Sequence, residues 1–320
     1  MTTATAVAHP NIALVKYWGK RDDALNLPAV PSLSLTLDRY HTRTTVRWGA
    51  RRDRVVLDGE ELRGRPATRV LEFLDLVQAG RPQVEVVSDN DFPTAAGLAS
   101  SASGFAALAL AASAAAGLAL DPTRCSVLAR RGSGSACRSL WGGWVEWRVG
   151  DRADGRDSHG APLAPPDHWD VAMVVAVVSA AAKPVGSRAA MERSRRTSPC
   201  YAAWVAHADR DVDVARAAVL GRDLPRLGAV MEGSTFRMFA TMFTASPPIL
   251  YWHPGTIACV HAIRELRASG TGAWCTMDAG PNVKVLCEGG DAPTVARALR
   301  EHVERVEIAR PGPGARLVGR

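Results

Sequence analysis

The chain has 320 residues, 47% of them hydrophobic and 22% charged, with a formal net charge of +7. That length suits two domains with ample core, and the composition excludes a disordered or disulfide-stapled chain. The positive balance is spread along the sequence without aromatic and basic residues alternating as in an RNA-binding sheet, so it points to a small polyanion.

Cysteines 125, 137, 200, 259, 275 and 287 contain no CxxC pair and no metal-like spacing. This predicts ordinary buried thiols in a reduced, cytosolic chain. The first residues, MTTATAVAHPN, lack the charged and apolar regions of a signal peptide. Residues 102–120 are long enough to raise the question of a membrane span. They are mostly Ala, broken by Ser113 and Gly117, and predict a soluble protein.

In chain order, Val7, Ile12, Leu14 and Val15 predict a strand interrupted at Pro10 and Asn11. Leu33, Leu35 and Leu37 alternate with Ser and Thr as in a half-buried strand. Between them lies KYWGK, residues 16–20, where two lysines around an aromatic pair suit either an anionic pocket or a solvated loop. VVLDGE at 55–60 reads as a hairpin on an Asp-Gly type I′ turn. A helix is predicted over 68–79, and a strand at Val84, Val86 and Ser88.

Residues 92–120 then carry a loop with Pro93, Gly97 and several serines straight into an Ala- and Leu-rich helix. Such a start is either a Ser-capped core helix or a phosphate site using unpaired N–H groups and the helix dipole. No Walker lysine follows. A second helix begins at Asp121-Pro122 and runs to Arg131. GSGSACRS follows, where small residues allow close approach of a ligand and Arg138 offers a planar fork for a carboxylate or phosphate, or ties down the loop.

Residues 144–149 alternate as a strand, 150–167 read as a surface excursion, and 171–178 as a strongly apolar central strand. Residues 184–240 read as helical, with turns near Asp211 and at Arg222-Asp223, ending before Pro247-Pro248. A helix over 256–268, strands at 273–277 and 283–287 around DAGPN, a helix over 293–303 and a strand near 306–308 complete the chain. The pattern predicts an α+β protein of two halves meeting near 180–190.

Four loops together, NIALVKYWGK at 11–20, PTAAGLASSAS at 93–103, ARRGSGSACRSLWGG at 129–143 and TMDAGPNVKV at 276–285, closely resemble diphosphomevalonate decarboxylases of the GHMP kinase superfamily. VGSRAAM at 185–191 and ATMFTASPPILY at 240–251 are lesser echoes. The resemblance implies a ribosomal protein S5 domain 2-like N-terminal unit over 1–184 and a ferredoxin-like unit over 185–320. It also implies a cytoplasmic homodimer that takes mevalonate 5-diphosphate and ATP, with Mg2+, to isopentenyl diphosphate, ADP, phosphate and carbon dioxide. By the same resemblance, Asp278 sits at the substrate 3-hydroxyl, Arg138 at its carboxylate and Lys16 near the transferred phosphate. Tyr17, Trp18, Gly19, Lys20, Ser133, Gly134, Ser135, Ala136, Cys137, Ser187 and Arg188 surround the substrate. Ser88, Pro93, Ala95, Ala96, Gly97, Leu98, Ala99, Ser100, Ser101 and Ser103 serve ATP, with Ser101 also at the metal.

The chain departs from the family at three places. Phe239 stands where His is common, Met242 where bacterial members commonly have Asn, and Val30-Pro31 replaces more polar residues. A kinase stopping at the 3-phosphate ester, or a decarboxylase of the monophosphate, shares the same fold. A catalytically silent basic binding protein is the rival from another class, and retention of Asp278 and Arg138 speaks against it.

Overall fold

The computed structural model describes residues 2–91, 100–181 and 183–319. Among these, the N-terminal half builds a two-stranded ribbon of Lys20–Asp22 with Leu27–Pro28 and two larger sheets. One orders its strands as Arg316–Val318, Thr3–Ala8, Thr42–Trp48, Val84–Asn90, Arg54–Leu57 and Glu60–Glu61; the other as Gly160–Ala164, Trp144–Trp147, Ser32–Thr36 and Asn11–Val15. Pro10 separates the two opening strands, as its missing N–H requires. Asp58 and Gly59 both have positive φ, 51° and 83°, as the predicted type I′ turn demands.

The Ala-rich helix spans Ser100–Ala115 and is buried on nearly every side. It packs across Thr3–Ala8 and Thr42–Trp48, where its small side chains let backbone approach backbone. Asp121 caps the next helix, Pro122–Gly132, by accepting from the Arg124 N–H.

In the C-terminal half the strands run Ala273–Met277, Val283–Glu288, Val171–Val177 and Arg305–Ala309, all antiparallel. Val171–Val177 is central, as its unbroken apolar run predicts, and its partners all come from the C-terminal end of the chain. Helices Ser187–Thr197, Tyr201–Gly221, Leu224–Phe243, Pro254–Ala268 and Ala292–Arg300 complete this half. No helix among the described residues is long and apolar enough to cross a membrane.

Several predicted elements differ. Ser32–Thr36 is buried on both faces, because its Ser/Thr face receives polar groups instead of water. The 150–167 excursion contains Gly160–Ala164, paired with Trp144–Trp147. No turn occurs at Asp211: the helix runs through it and Arg237 neutralises its carboxylate at 2.5 Å. The break falls at 198–200 instead. A further short strand, Arg316–Val318, follows the last expected one and pairs with Thr3–Ala8.

Candidate active site

A cleft of about 480 Å3 opens where the four singled-out loops converge. Lys16, Tyr17, Trp18 and Lys20 line it from the loop after Asn11–Val15, and Ser133, Gly134, Ser135 and Arg138 from the turn after Pro122–Gly132. Ser187 and Arg188 open the Ser187–Thr197 helix there, and Ser100 and Ser101 open the Ala-rich helix. Two helices thus begin at the cleft, where their first N–H groups have no intrahelical partner.

Asp278 closes the strand Ala273–Met277 and belongs to a turn whose other residues have a structural job. Asn282 Oδ1 accepts from the N–H groups of Val178 and Ser179, at 2.8 and 3.0 Å, which pins the turn to the end of the central strand. Asp278 takes no part in that clamp. Its Oδ1 lies 3.0 Å from Lys16 Nζ and its Oδ2 3.2 Å from Lys284 Nζ. Burial works to raise its pKa, but the two ammonium groups overcome it and hold the carboxyl well below the usual carboxylate range.

Lys16 is 1% exposed and also donates to Ala13 O at 2.7 Å. Burial, opposed by Asp278 and reinforced by Lys284 and Arg138, lowers its pKa to about 8. Its backbone N–H donates to Ser234 Oγ at 3.0 Å, and Thr276 donates to the Ala13 carbonyl at 3.3 Å. The lysine is therefore tethered to both halves.

Arg138 follows a 3-10 turn, Gly134–Cys137, and is nearly inaccessible. Its Nε donates to Asn11 Oδ1 at 3.1 Å and its Nη1 to Ser32 Oγ at 2.6 Å. The guanidinium carbon stands 5.7 Å from the centroid of the Trp147 ring. Asn11 in turn donates to Ser135 O and Ser139 Oγ, so it fixes the turn and the side chain together. Tyr17 packs against the same tryptophan, with ring centroids 4.6 Å apart.

Not every expected residue lines the cleft. Ala136 and Cys137 lie buried outside its lining, and Ser103 is buried against Thr42 Oγ1 at 2.7 Å. Gly19, at φ 101°, leaves room for Tyr201, whose hydroxyl would be 1.9 Å from a Cβ there. Ser88 instead lines a smaller recess of about 210 Å3 with Val55, Val56 and Phe105, which shares Ser100 and Ser101 with the main cleft. Pro93, Ala95, Ala96, Gly97, Leu98 and Ala99 lie outside the described residues. Phe239 is a core residue packed on Phe243 and Trp252, at 5.7 and 5.0 Å, and Met242 is buried in the same cluster. Neither departure touches the cleft, although Met238 does.

Asn11, Arg69, Lys183 and Lys284, none of them among the expected site residues, also line the cleft. Lys183 donates to Ala279 O at 2.7 Å and Ser187 Oγ at 3.0 Å, joining two of the loops. A compositional signal was present: the chain has four lysines against thirty-five arginines. All four lysines line this cleft.

The chain matches known proteins over most of its length. A family model described as the diphosphomevalonate decarboxylase-like N-terminal domain matches residues 8–160, and one described as the mevalonate 5-diphosphate decarboxylase C-terminal domain matches residues 173–310. The chain is 38% identical to human diphosphomevalonate decarboxylase, covering 89% of this chain and 77% of the human protein. It is 36% identical to the Gibberella zeae enzyme, over 95% and 85% respectively. It superposes on a structure of MDDEF in complex with MVAPP, AMPPCP and magnesium with a TM-score of 0.93, at 41% identity over 100% of this chain and 99% of that one. For mevalonate diphosphate decarboxylase from Staphylococcus aureus the TM-score is 0.94, at 37% identity over 99% and 98%. The fold is that of the GHMP kinase superfamily. Matched in both halves and across most of its length, the chain belongs to the diphosphomevalonate decarboxylase family.

Proposed function

We propose that the chain converts mevalonate 5-diphosphate and ATP to isopentenyl diphosphate, ADP, phosphate and carbon dioxide, through transient phosphorylation of the 3-hydroxyl. The observation that carries this is the joining, in one cleft, of a lysine-paired carboxylate for the hydroxyl with a rigidly held guanidinium for the carboxylate. A kinase alone needs only the first.

A tertiary hydroxyl is a poor leaving group, and phosphorylation makes it a good one. Asp278 orients the 3-hydroxyl and accepts its proton as the γ-phosphoryl group arrives, with Lys16 offsetting the charge that gathers there. As the C–O bond to phosphate breaks, the electrons of the C–CO2 bond form the alkene and carbon dioxide leaves. Arg138 holds the substrate carboxylate as an anion, in line for that departure. Tyr17, Trp18, Lys20, Ser133, Gly134, Ser135, Ser187 and Arg188 enclose the rest of the substrate. Burial, reinforced by the neighbouring Arg188, lowers the Lys20 pKa, and Lys20, Arg188 and Arg69 together gather positive charge suited to a diphosphate.

ATP is read as lying over the start of the Ala-rich helix, with Ser88, Ser100 and Ser101 around it. Magnesium takes most of its ligands from phosphates and water. Among the described residues no group of three or more His, Cys, Asp or Glu is placed to hold a metal. The Ser101 hydroxyl, 3.3 Å from Ser133 Oγ at the cleft, fits an ion that comes with the nucleotide. Ser101 would hold it, and the ion would neutralise phosphate charge. The resemblance puts the division of the two units at 184/185; we read it instead as falling ahead of Val171, because that strand pairs only with C-terminal strands. A homodimer in the cytoplasm completes the reading.

Turnover with both mevalonate phosphates tests it. One ADP and one carbon dioxide are expected per mevalonate 5-diphosphate consumed. A stable 3-phosphate without gas release would make the protein a kinase, and preference for the monophosphate would change its substrate.

A further inference from the structure

Asp278 meets two buried ammonium groups, Lys16 and Lys284, and only Lys16 has an assigned task. Lys284 lies mid-sheet in Val283–Glu288, opposite Thr276 on one side and Val175 on the other. Its side chain is 2% exposed, that of Lys16 1%, and that of Asp278 32%. The carboxylate is therefore the open member of the trio, with one ammonium on each oxygen. Burying an ammonium is costly unless it is paired, and a single lysine is enough to pair one carboxylate. In a chain that otherwise uses arginine, all four lysines face this one cleft. A compact ammonium suits a single carboxylate oxygen, where a guanidinium would present a fork.

We propose that Lys284 is a positioning residue for phosphoryl transfer, anchoring Asp278 through Oδ2 and keeping it ionised while Lys16 is shared with the arriving phosphoryl group. This rests on the reading of Asp278 as the group at the substrate 3-hydroxyl. A phosphoryl group competes with Asp278 for the Lys16 ammonium. A carboxylate that lost its only counter-ion beside that charge would take up a proton, and could then no longer accept one from the hydroxyl. Lys284 holds the other oxygen, so the carboxylate keeps a cation whichever partner Lys16 takes. Lys183 and Arg138 also act on the Asp278 charge through space. Their hydrogen bonds go elsewhere, to Ala279 and Ser187 and to Asn11 and Ser32.

The test uses full-length Lys284→Met and Lys284→Gln, each alone and combined with Asp278→Asn. ADP release with ATP, magnesium and mevalonate 5-diphosphate is followed across pH. Both single variants are expected to raise the acid-side pKa of kcat/KM by ~1 unit or more, as loss of a neighbouring cation does. Their kcat falls ~10- to 100-fold with KM for both substrates nearly unchanged. In the Asp278→Asn background the Lys284 changes add nothing, because their effect passes through the missing carboxylate. Carbon-13 NMR titration of the free protein, with Asp278 assigned by its loss in Asp278→Asn, reads the same rise without turnover. Should the Met variant fail to fold, the Gln variant carries every measurement. An unmoved Asp278 pKa, an effect on KM alone, a wild-type pH profile in Lys284→Gln or additive losses would each overturn the proposal. Wild-type ADP release without carbon dioxide would sink the decarboxylase reading instead, and leaves the NMR comparison of Lys284 intact.

Discussion

At Lys16, burial and function pull on the same proton. The ammonium must be charged to pair with Asp278, yet burial lowers its pKa from 10.5 to about 8. Below that value the ion pair is intact, and above it the lysine turns neutral. For the free enzyme, kcat/KM should therefore fall on the alkaline side with an apparent pKa near 8. Bound phosphates favour the charged form and should push the same limb upward in kcat. The Lys16 contribution to stability has the opposite sign. Between about 8 and 10.5 the unfolded chain holds this proton more tightly than the folded one, so folding gains as pH rises. Activity falling while the melting temperature holds or rises would be the signature. An alkaline limb unchanged in Lys16→Arg, whose guanidinium stays charged, would assign the limb to another group.

Arg138 tests whether shape or charge is used at the carboxylate. Its Nε and Nη1 are committed to Asn11 and Ser32, which sets the plane of the guanidinium. Lysine keeps the charge and loses that plane. Arg138→Lys should lower kcat/KM by about 10- to 150-fold, the worth of roughly 1.5–3 kcal/mol of charge-assisted hydrogen bonding. A lowered melting temperature with kcat/KM intact would make Arg138 a loop anchor only.

At the scale of elements, periodicity and caps were easily read, and partners across the sheet were not. Asp121-Pro122, the Asp-Gly turn and the strands around DAGPN stand where local chemistry puts them. Gly160–Ala164 was missed because GAPLA carries neither alternation nor β-branched residues; pairing with Trp144–Trp147 makes it a strand. Asp211 looked like a turn because its partner, Arg237, is one helix away. The cleft divides the same way. Residues in glycine-rich loops could be found, since such loops announce close approach. Lys284 sits in a buried strand and Arg69 on a helix, where a lone cation reads as surface until its neighbours are known. Lysine scarcity was the one global signal that would have found both Lys183 and Lys284.

At the scale of the molecule, the two halves share a core. Ile12, Leu14, Leu33, Leu35 and Trp144 from the N-terminal half pack in one cluster with Val171, Met173, Val212, Leu227 and Leu286. Polar ties reinforce it: Arg216 grips Glu146 through two nitrogens at 2.9 and 3.0 Å, and Lys16 joins Ser234 and Asp278. The chain also returns at its end, where Arg316–Val318 pairs with Thr3–Ala8 and adds an edge to the N-terminal sheet. Domains linked only by a small polar interface unfold separately, whereas a common apolar core couples them. Equilibrium unfolding in urea should therefore be one cooperative transition. Tryptophan fluorescence reports on both halves through buried Trp144, Trp147, Trp204 and Trp274, and its curve should coincide with circular dichroism at 222 nm, a helix signal. The slope m should reach or exceed the ~1–3 kcal/mol/M of small proteins, because m grows with the surface exposed. Two separated transitions, or a fragment of residues 173–310 that folds alone with a sharp melt, would show the halves to be independent. The cleft floor would then be assembled by docking rather than by folding.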